Sequence, residues 1–288
     1  MDQITFSEIN KAKTNLDDIY NQPDPRAYCG RLGKLDYVIP DVAKPIFRKV
    51  ISEVRQRRRD VVHVLDLGCS YGINAALLKY DLTMPELYDH WEEKRLARAS
   101  PEEVAELDRE YFASLDEVEK IKVIGLDQAE NAIEYGHQVG LLDAGHAVNL
   151  EAGPLAKQVK EDLSAVDLVV STGCVGYVTE KTFERLLPAV TQGRPPWMAN
   201  FVLRLFPFNQ IEETLNKSGY VTEKLEGHTF VQRRFESDGE RESMLEQLRK
   251  QGIDPTAAET EGHLLAEFYL SRPAGEMADA PIEQVVLA

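Results

Sequence analysis

The 288 residues carry 33 basic and 49 acidic side chains, a formal charge of -16, and 43% of them are hydrophobic. That is ample apolar material for a full core in one large domain or two small ones. Such an acidic chain repels phosphate backbones over the range where electrostatic steering acts, which argues against nucleic acid as a partner.

Residues 1 to 25 hold acids and amides throughout with no apolar h-region, so no signal peptide is expected. No run approaches the ~18 apolar residues of a membrane span. Cys29, Cys69 and Cys174 are odd in number, far apart and without metal-ligand spacing. They argue for a reducing, cytoplasmic compartment, with neither a disulfide framework nor a metal site.

Residues 6 to 20 read as a short polar helix, followed by "YNQPDPRAYCGRLGKLDYVIP" (20 to 40), irregular and holding Tyr20, Tyr28 and Tyr37. Val42, Ile46, Val50 and Ile51 then recur at helical spacing, with Pro45 expected in the first turn. The cationic run "VRQRRRD" (54 to 60) suits the exposed C-terminal end of that helix. Next, "VVHVLDLGCSYGINAALL" (61 to 78) runs from a strand through a glycine turn into a helix. The polar stretch 81 to 120 reads as a helical insertion, because Ser100, Pro101 and Glu103 form a capping box with proline at the first helical position.

Strands are predicted at "KVIGLD" (122 to 127), "AVNLEA" (147 to 152), "VDLVVST" (166 to 172), "WMANFVLRLF" (197 to 206), "TFVQRRF" (229 to 235) and "LLAEFYLSR" (264 to 272). Helical patterns alternate with the earlier ones, which indicates a parallel sheet covered on both faces. The last two strands form an antiparallel edge, and the tail beyond Pro273 reads as weakly ordered. The expected fold is α/β, a Rossmann-like seven-stranded, mostly parallel sheet with an antiparallel final strand. Residues 1–58 form a helical cap, 59–273 the main domain with its insertion at 81–120, and 274–288 a tail. Burying the cap's apolar face against a second copy would make a homodimer.

In an open α/β sheet the first strand-to-helix turn is the usual nucleotide site. Gly68 lets the chain turn tightly, Gly72 lets backbone approach a ligand, and the following helix offers its N-terminus. A dinucleotide fingerprint needs glycine where Ser70 stands, and Asp66 is awkward beside a pyrophosphate but comfortable beside an ammonium or a sulfonium. A Walker A loop is excluded, because no Gly-Lys-Ser/Thr follows.

The chain resembles the class I S-adenosylmethionine-dependent methyltransferases. "VLDLGCSYGINAALL" resembles their first motif, with Asp66, Gly68, Cys69, Ser70 and Gly72 in the turn and serine in place of the middle glycine. "IGLDQAENAIEYG" resembles the second, which implies Asp127 as the ribose-binding acid with Gln128 beside it. "AVNLEAG" occupies the third, placing Leu150 and Glu151 around adenine, and "DLVVSTGCVGYV" matches the fourth, placing Ser171 and Thr172 near the methionine end. Asp127 follows Asp66 by 61 residues where the family usually has about twenty, comparable to the dinucleotide folds, and the insertion accounts for the difference.

The resemblance implies transfer of a methyl group from S-adenosylmethionine, leaving S-adenosylhomocysteine, to a small-molecule acceptor such as an aromatic or amine metabolite, without a metal. Methyl transfer is an in-line displacement, so a lidded, mostly apolar acceptor pocket is expected over the strand ends. Tyr28 and Tyr177 are candidates at that pocket, and His228 is the one histidine considered as a base. Two other readings stay open at this point: a non-catalytic S-adenosylmethionine-binding partner module, and a nicotinamide-dependent oxidoreductase.

Overall fold

The computed structural model describes residues 6, 9, 10, 16–277 and 280–287. Helices α1 (Arg26–Leu32) and α2 (Ile39–Arg57) lead into β1 (Val62–Leu67), and α3 (Ile73–Tyr80) follows the glycine turn. The insertion supplies α4 (Met84–Glu92) and α5 (Pro101–Ala113) ahead of β2 (Ile121–Asp127), α6 (Glu130–Gln138) and β3 (Ala144–Ala147). Then come α7 (Lys157–Leu163), β4 (Leu168–Thr172), α8 (Glu180–Val190), β5 (Trp197–Leu203), α9 (Asn209–Lys217), β6 (Tyr220–Lys224) and β7 (Phe230–Arg234). Helices α10 (Asp238–Lys250) and α11 (Ala257–Glu261) precede the long β8 (His263–Pro273), and α12 (Ala274–Met277) and α13 (Ile282–Val286) complete the described chain.

The strands form one sheet in the order β3-β2-β1-β4-β5-β8-β6, with β7 also on β8. Strands β1 to β5 pair in parallel, whereas β8 runs antiparallel to β5, β6 and β7. Eight strands thus replace the seven expected, since β8 takes β7 on its first residues and β6 on its last. The fold is Rossmann-like. Strand order reverses between β1 and β4, so the crevice at their carboxyl ends is the topological switch point where ligands bind in open α/β sheets.

Alternation along the strands divides the core in two. Val62 and Val64 of β1 face one hydrophobic cluster with α2, α3 and the insertion, whereas Leu65 and Leu67 face another with α7 to α10. The capping box at Ser100 and Glu103 starts α5 as the sequence predicts, and Thr83 with Glu86 builds a second one on α4. Inside the insertion, the buried Asp108 carboxylate accepts from Trp91 Nε1 at 2.9 Å and Tyr135 Oη at 2.5 Å, and pairs with His90 Nε2 at 2.7 Å. This clamps α4 and α5 to α6.

Several elements differ from expectation for local reasons. Pro45 lies inside α2, whose first turn holds Pro40 instead. The strand expected at 147 to 152 ends at Ala147, because Asn149 Oδ1 accepts from the backbone of Glu151 and Ala152 and folds those residues into a turn. Strand β6 and the helices of 238 to 261 were not foreseen. The tail, expected to be weakly ordered, buries Ile282, Val285 and Val286 in the cluster around α2. Among the described residues no helix is long and apolar enough to cross a membrane.

Candidate functional site

Three residues of the turn after β1 have positive φ: Gly68 (73°), Ser70 (48°) and Gly72 (83°). At Gly68 the requirement is also spatial, since a Cβ there would lie 2.5 Å from Cys174 Cβ. Ser70 occupies a region that costs an L residue about 1–2 kcal/mol. Asp127, at the end of β2, holds it there: Oδ2 accepts from Ser70 N at 2.9 Å while Oδ1 accepts from Ala129 N at 3.0 Å. One carboxylate therefore orients both the β1 turn and the start of the segment leading to α6. Each of its oxygens keeps a further lone pair for a ligand hydroxyl.

Asp66 is fully buried at the end of β1. Its Oδ1 accepts from Asn74 Nδ2 at 2.9 Å, and the same nitrogen reaches Thr172 Oγ1 at 3.1 Å. Oδ2 has no hydrogen-bond partner among the described residues, nor does Ser70 Oγ. Burial pushes the Asp66 carboxyl up to about 7; Asn74's bond opposes this and the Asp127 charge adds to it. A buried acid with an open oxygen next to a glycine turn is stabilised by a positive group and penalised by a phosphate.

Above the turn lies a cavity of about 580 Å³. Gly68, Cys69, Ser70 and Asn74 form one wall, and the ends of β2 and β4 contribute Asp127 and Thr172. The roof is N-terminal: Leu16, Tyr20, Tyr28 and Tyr37, with Gln232 and Arg233 arriving from β7. Tyr28 packs edge-on against Tyr20, Tyr37 and Tyr71 at centroid separations of 5.6, 6.3 and 5.7 Å. The turn itself anchors this roof, for Tyr71 Oη accepts from Gln22 N at 2.9 Å. Asn21 adds a second tie, its side-chain oxygen and carbonyl both accepting from Asn131 at 2.9 Å. Burial raises the phenols of Tyr20, Tyr28 and Tyr37 above their usual range, so they stand protonated at neutral pH.

No protein-family model matches the chain, and no curated protein matches it. Among solved structures it is similar to the plantazolicin methyltransferase BpumL in complex with SAH, at 13% identity and a TM-score of 0.46 over 93% of this chain and 97% of that one. It is also similar to a TehB-like SAM-dependent methyltransferase from Corynebacterium glutamicum, at 14% identity and a TM-score of 0.37 over 77% and 86% of the two chains. A precorrin-6y C5,15-methyltransferase from Geobacter metallireducens shows 11% identity and a TM-score of 0.37 over 78% and 86%.

Of the residues singled out in the sequence, the cavity brings together Tyr28, Gly68, Cys69, Ser70, Asp127, Gln128, Leu150, Glu151, Thr172 and Tyr177. Asp66 stands behind Asn74, Gly72 starts α3, and Ser171 is buried donating to Asn200 Oδ1 at 2.8 Å, all three off the cavity wall. His228 is outside the cavity as well, exposed in the turn between β6 and β7 with Nδ1 2.9 Å from the Glu226 carbonyl. Glu151 lines the cavity, but its carboxylate is engaged by Thr179 N at 2.9 Å and Thr182 Oγ1 at 2.5 Å. Burial raises that acid, and the hydrogen bonds outweigh burial to leave it below its ordinary value. Asn74, Gln232 and Arg233 were not anticipated. A lone amide eight residues past Asp66 in an apolar helix was a signal for the first, whereas nothing local marked the pair on β7.

Proposed function

We propose that this protein transfers a methyl group from S-adenosylmethionine to a small-molecule acceptor. The observation that carries the reading is the unpartnered oxygen of buried Asp66 beside the Gly68 turn, with Asp127 bonded to the same turn through Ser70 N. A diphosphate placed against this turn would meet an uncompensated carboxylate, whereas a donor carrying an ammonium and a sulfonium relieves it. The residues fit such a donor. Asp127 is set to accept from the ribose hydroxyls, Leu150 and Val148 offer an apolar face for adenine, and Asn74 and Thr172 stand at the methionine end with Asp66 behind them.

When bound, S-adenosylmethionine supplies an electrophilic methyl group on sulfur. The chain's own part is to hold two reactants in line and keep water out, a role the tyrosine roof supports. The enclosure beneath that roof supports a small acceptor in preference to a polymer. Calorimetric titration with S-adenosylhomocysteine and, separately, NADH tests the reading. Binding of the first and none of the second is expected, and the reverse result overturns it.

A further inference from the structure

We propose that the methyl acceptor is an uncharged amine and that Gln232 positions it by accepting its N–H, an inference that rests on the methyl-transfer reading. The first support is a hydrogen-bond vacancy. Gln232 is 6% exposed, lines the cavity, and its Oε1 has no partner among the described residues. A buried acceptor without a donor is costly to maintain, so a donor arriving with a ligand satisfies it. Gln232 sits at a bulge in the β7–β8 pairing, between Val231 and Arg233, and Val38 N donates to its carbonyl at 2.9 Å, which ties the backbone carrying the side chain to the start of α2.

The second support is what the cavity lacks. Among the described residues lining it there is no histidine and no lysine. The phenols of Tyr20, Tyr28 and Tyr37 are held protonated by burial, and burial pushes the thiol of Cys174 up to about 12 and that of Cys69 well above its usual value. Of the two lining carboxylates, Asp127 accepts from two backbone amides and, in the methyl-transfer reading, from the donor's ribose, and Glu151 accepts from Thr179 and Thr182. Asp66 lies behind Asn74, off the wall. Nothing here is set to take a proton before the transition state, so the acceptor must bring a lone pair that is already free.

A neutral amine does so. Its nitrogen lone pair forms the new N–C bond as the donor's S–C bond breaks with its electron pair going to sulfur. The amine proton stays on nitrogen and leaves to solvent after release. The positive charge that moves from sulfur to nitrogen then sits among tyrosine rings, which favour cations. Arg233, on the same wall, does not oppose this, because Glu240 holds its guanidinium in a two-point ion pair at 2.7 and 3.1 Å.

The test uses the full chain with four probes: benzylamine, aniline, phenol and benzoate. The amines should be methylated in the presence of S-adenosylmethionine, and the pH midpoint of kcat/KM should move with the amine, since the two conjugate acids differ widely in strength. Calorimetry on protein saturated with S-adenosylhomocysteine should show benzylamine binding at least tenfold weaker in Gln232→Leu and within about threefold of wild type in Gln232→Glu, which keeps the accepting oxygen. S-adenosylhomocysteine affinity should be unchanged in both variants. A midpoint that stays fixed when the amine is exchanged, methylation of phenol or benzoate alone, or no amine turnover by a chain that binds S-adenosylhomocysteine overturns this proposal and leaves the methyl-transfer reading standing. Failure to bind S-adenosylhomocysteine removes both.

Discussion

Replacing Asp127 with Asn keeps the volume of the side chain but exchanges one accepting oxygen for an NH2 group. In the wild type the two oxygens accept from Ser70 N at 2.9 Å and Ala129 N at 3.0 Å, so in either orientation the amide turns a donor toward a donor. An unmade hydrogen bond to a charged group at a partly buried site costs about 1–3 kcal/mol, and the lower part of that range applies because Asp127 is only half-buried. The lost bond also releases Ser70, whose φ of 48° is disfavoured without it. Together these predict a stability loss of roughly 2 kcal/mol, or a Tm lower by about 3 °C in a chain of this size. Donor binding suffers separately. Ribose hydroxyls would meet an amide in place of a carboxylate, and losing charge-assisted bonds of about 1.5–3 kcal/mol weakens affinity by roughly 10- to 150-fold. Thermal unfolding measures the first loss, and calorimetric titration with S-adenosylhomocysteine at a temperature where the variant is folded measures the second. If the folded Asn variant binds within twofold of wild type, Asp127 does not hold the donor, and the placement of ribose at the end of β2 is wrong.

Three further perturbations test other parts of the site. Gly68→Ala places a Cβ 2.5 Å from Cys174 Cβ at a φ of 73°, and overpacking with left-handed strain should cost about 2–4 kcal/mol and reduce S-adenosylhomocysteine affinity. An Ala variant with unaltered melting and affinity would mean the turn is not held this tightly. For Asp66, raised to about 7 in the folded chain against the usual carboxylate value near 4, the native state binds more protons than the unfolded state between these values. Stability without ligand should therefore fall as pH rises from about 4 to 7, and binding of a cationic donor, which favours the ionised acid, should tighten as pH rises toward 7 and level off above it. Asp66→Asn should abolish both trends, and their persistence in that variant would assign them to another group. Asp108→Ala leaves His90, Trp91 and Tyr135 facing a void, and a loss of about 3–5 kcal/mol in denaturant unfolding is expected, with donor affinity intact because this network is not part of the cavity wall. A loss under ~1 kcal/mol would show that the insertion is held elsewhere.

What the sequence disclosed, and what it hid, follows the range of the interactions involved. The turn at Gly68 and Gly72 is legible because its backbone must adopt positive φ over a few consecutive residues, and that demand is written locally. Asp127 is legible across 61 residues because each strand carries an acid at or next to its last residue after an apolar run, and the insertion between them announces itself with the capping box at Ser100. By contrast β3 is "AGHA", with no β-branched residue to mark it, and only its parallel pairing with β2 makes it a strand. Glu151 shows what a local reading leaves out: its position after β3 places it on the cavity wall, while Thr179 and Thr182, 28 and 31 residues onward, donate to its carboxylate. Gln232 and Arg233 reach the cavity because β7 pairs with β8, a contact set by the antiparallel edge of the whole sheet. The side of the cavity at the β1 turn is thus built from short-range constraints, whereas the side formed by β7 is assembled by long-range pairing. The unpaired Gln232 oxygen and the engagement of the side chains around it are set by that pairing, and the order of residues reveals neither.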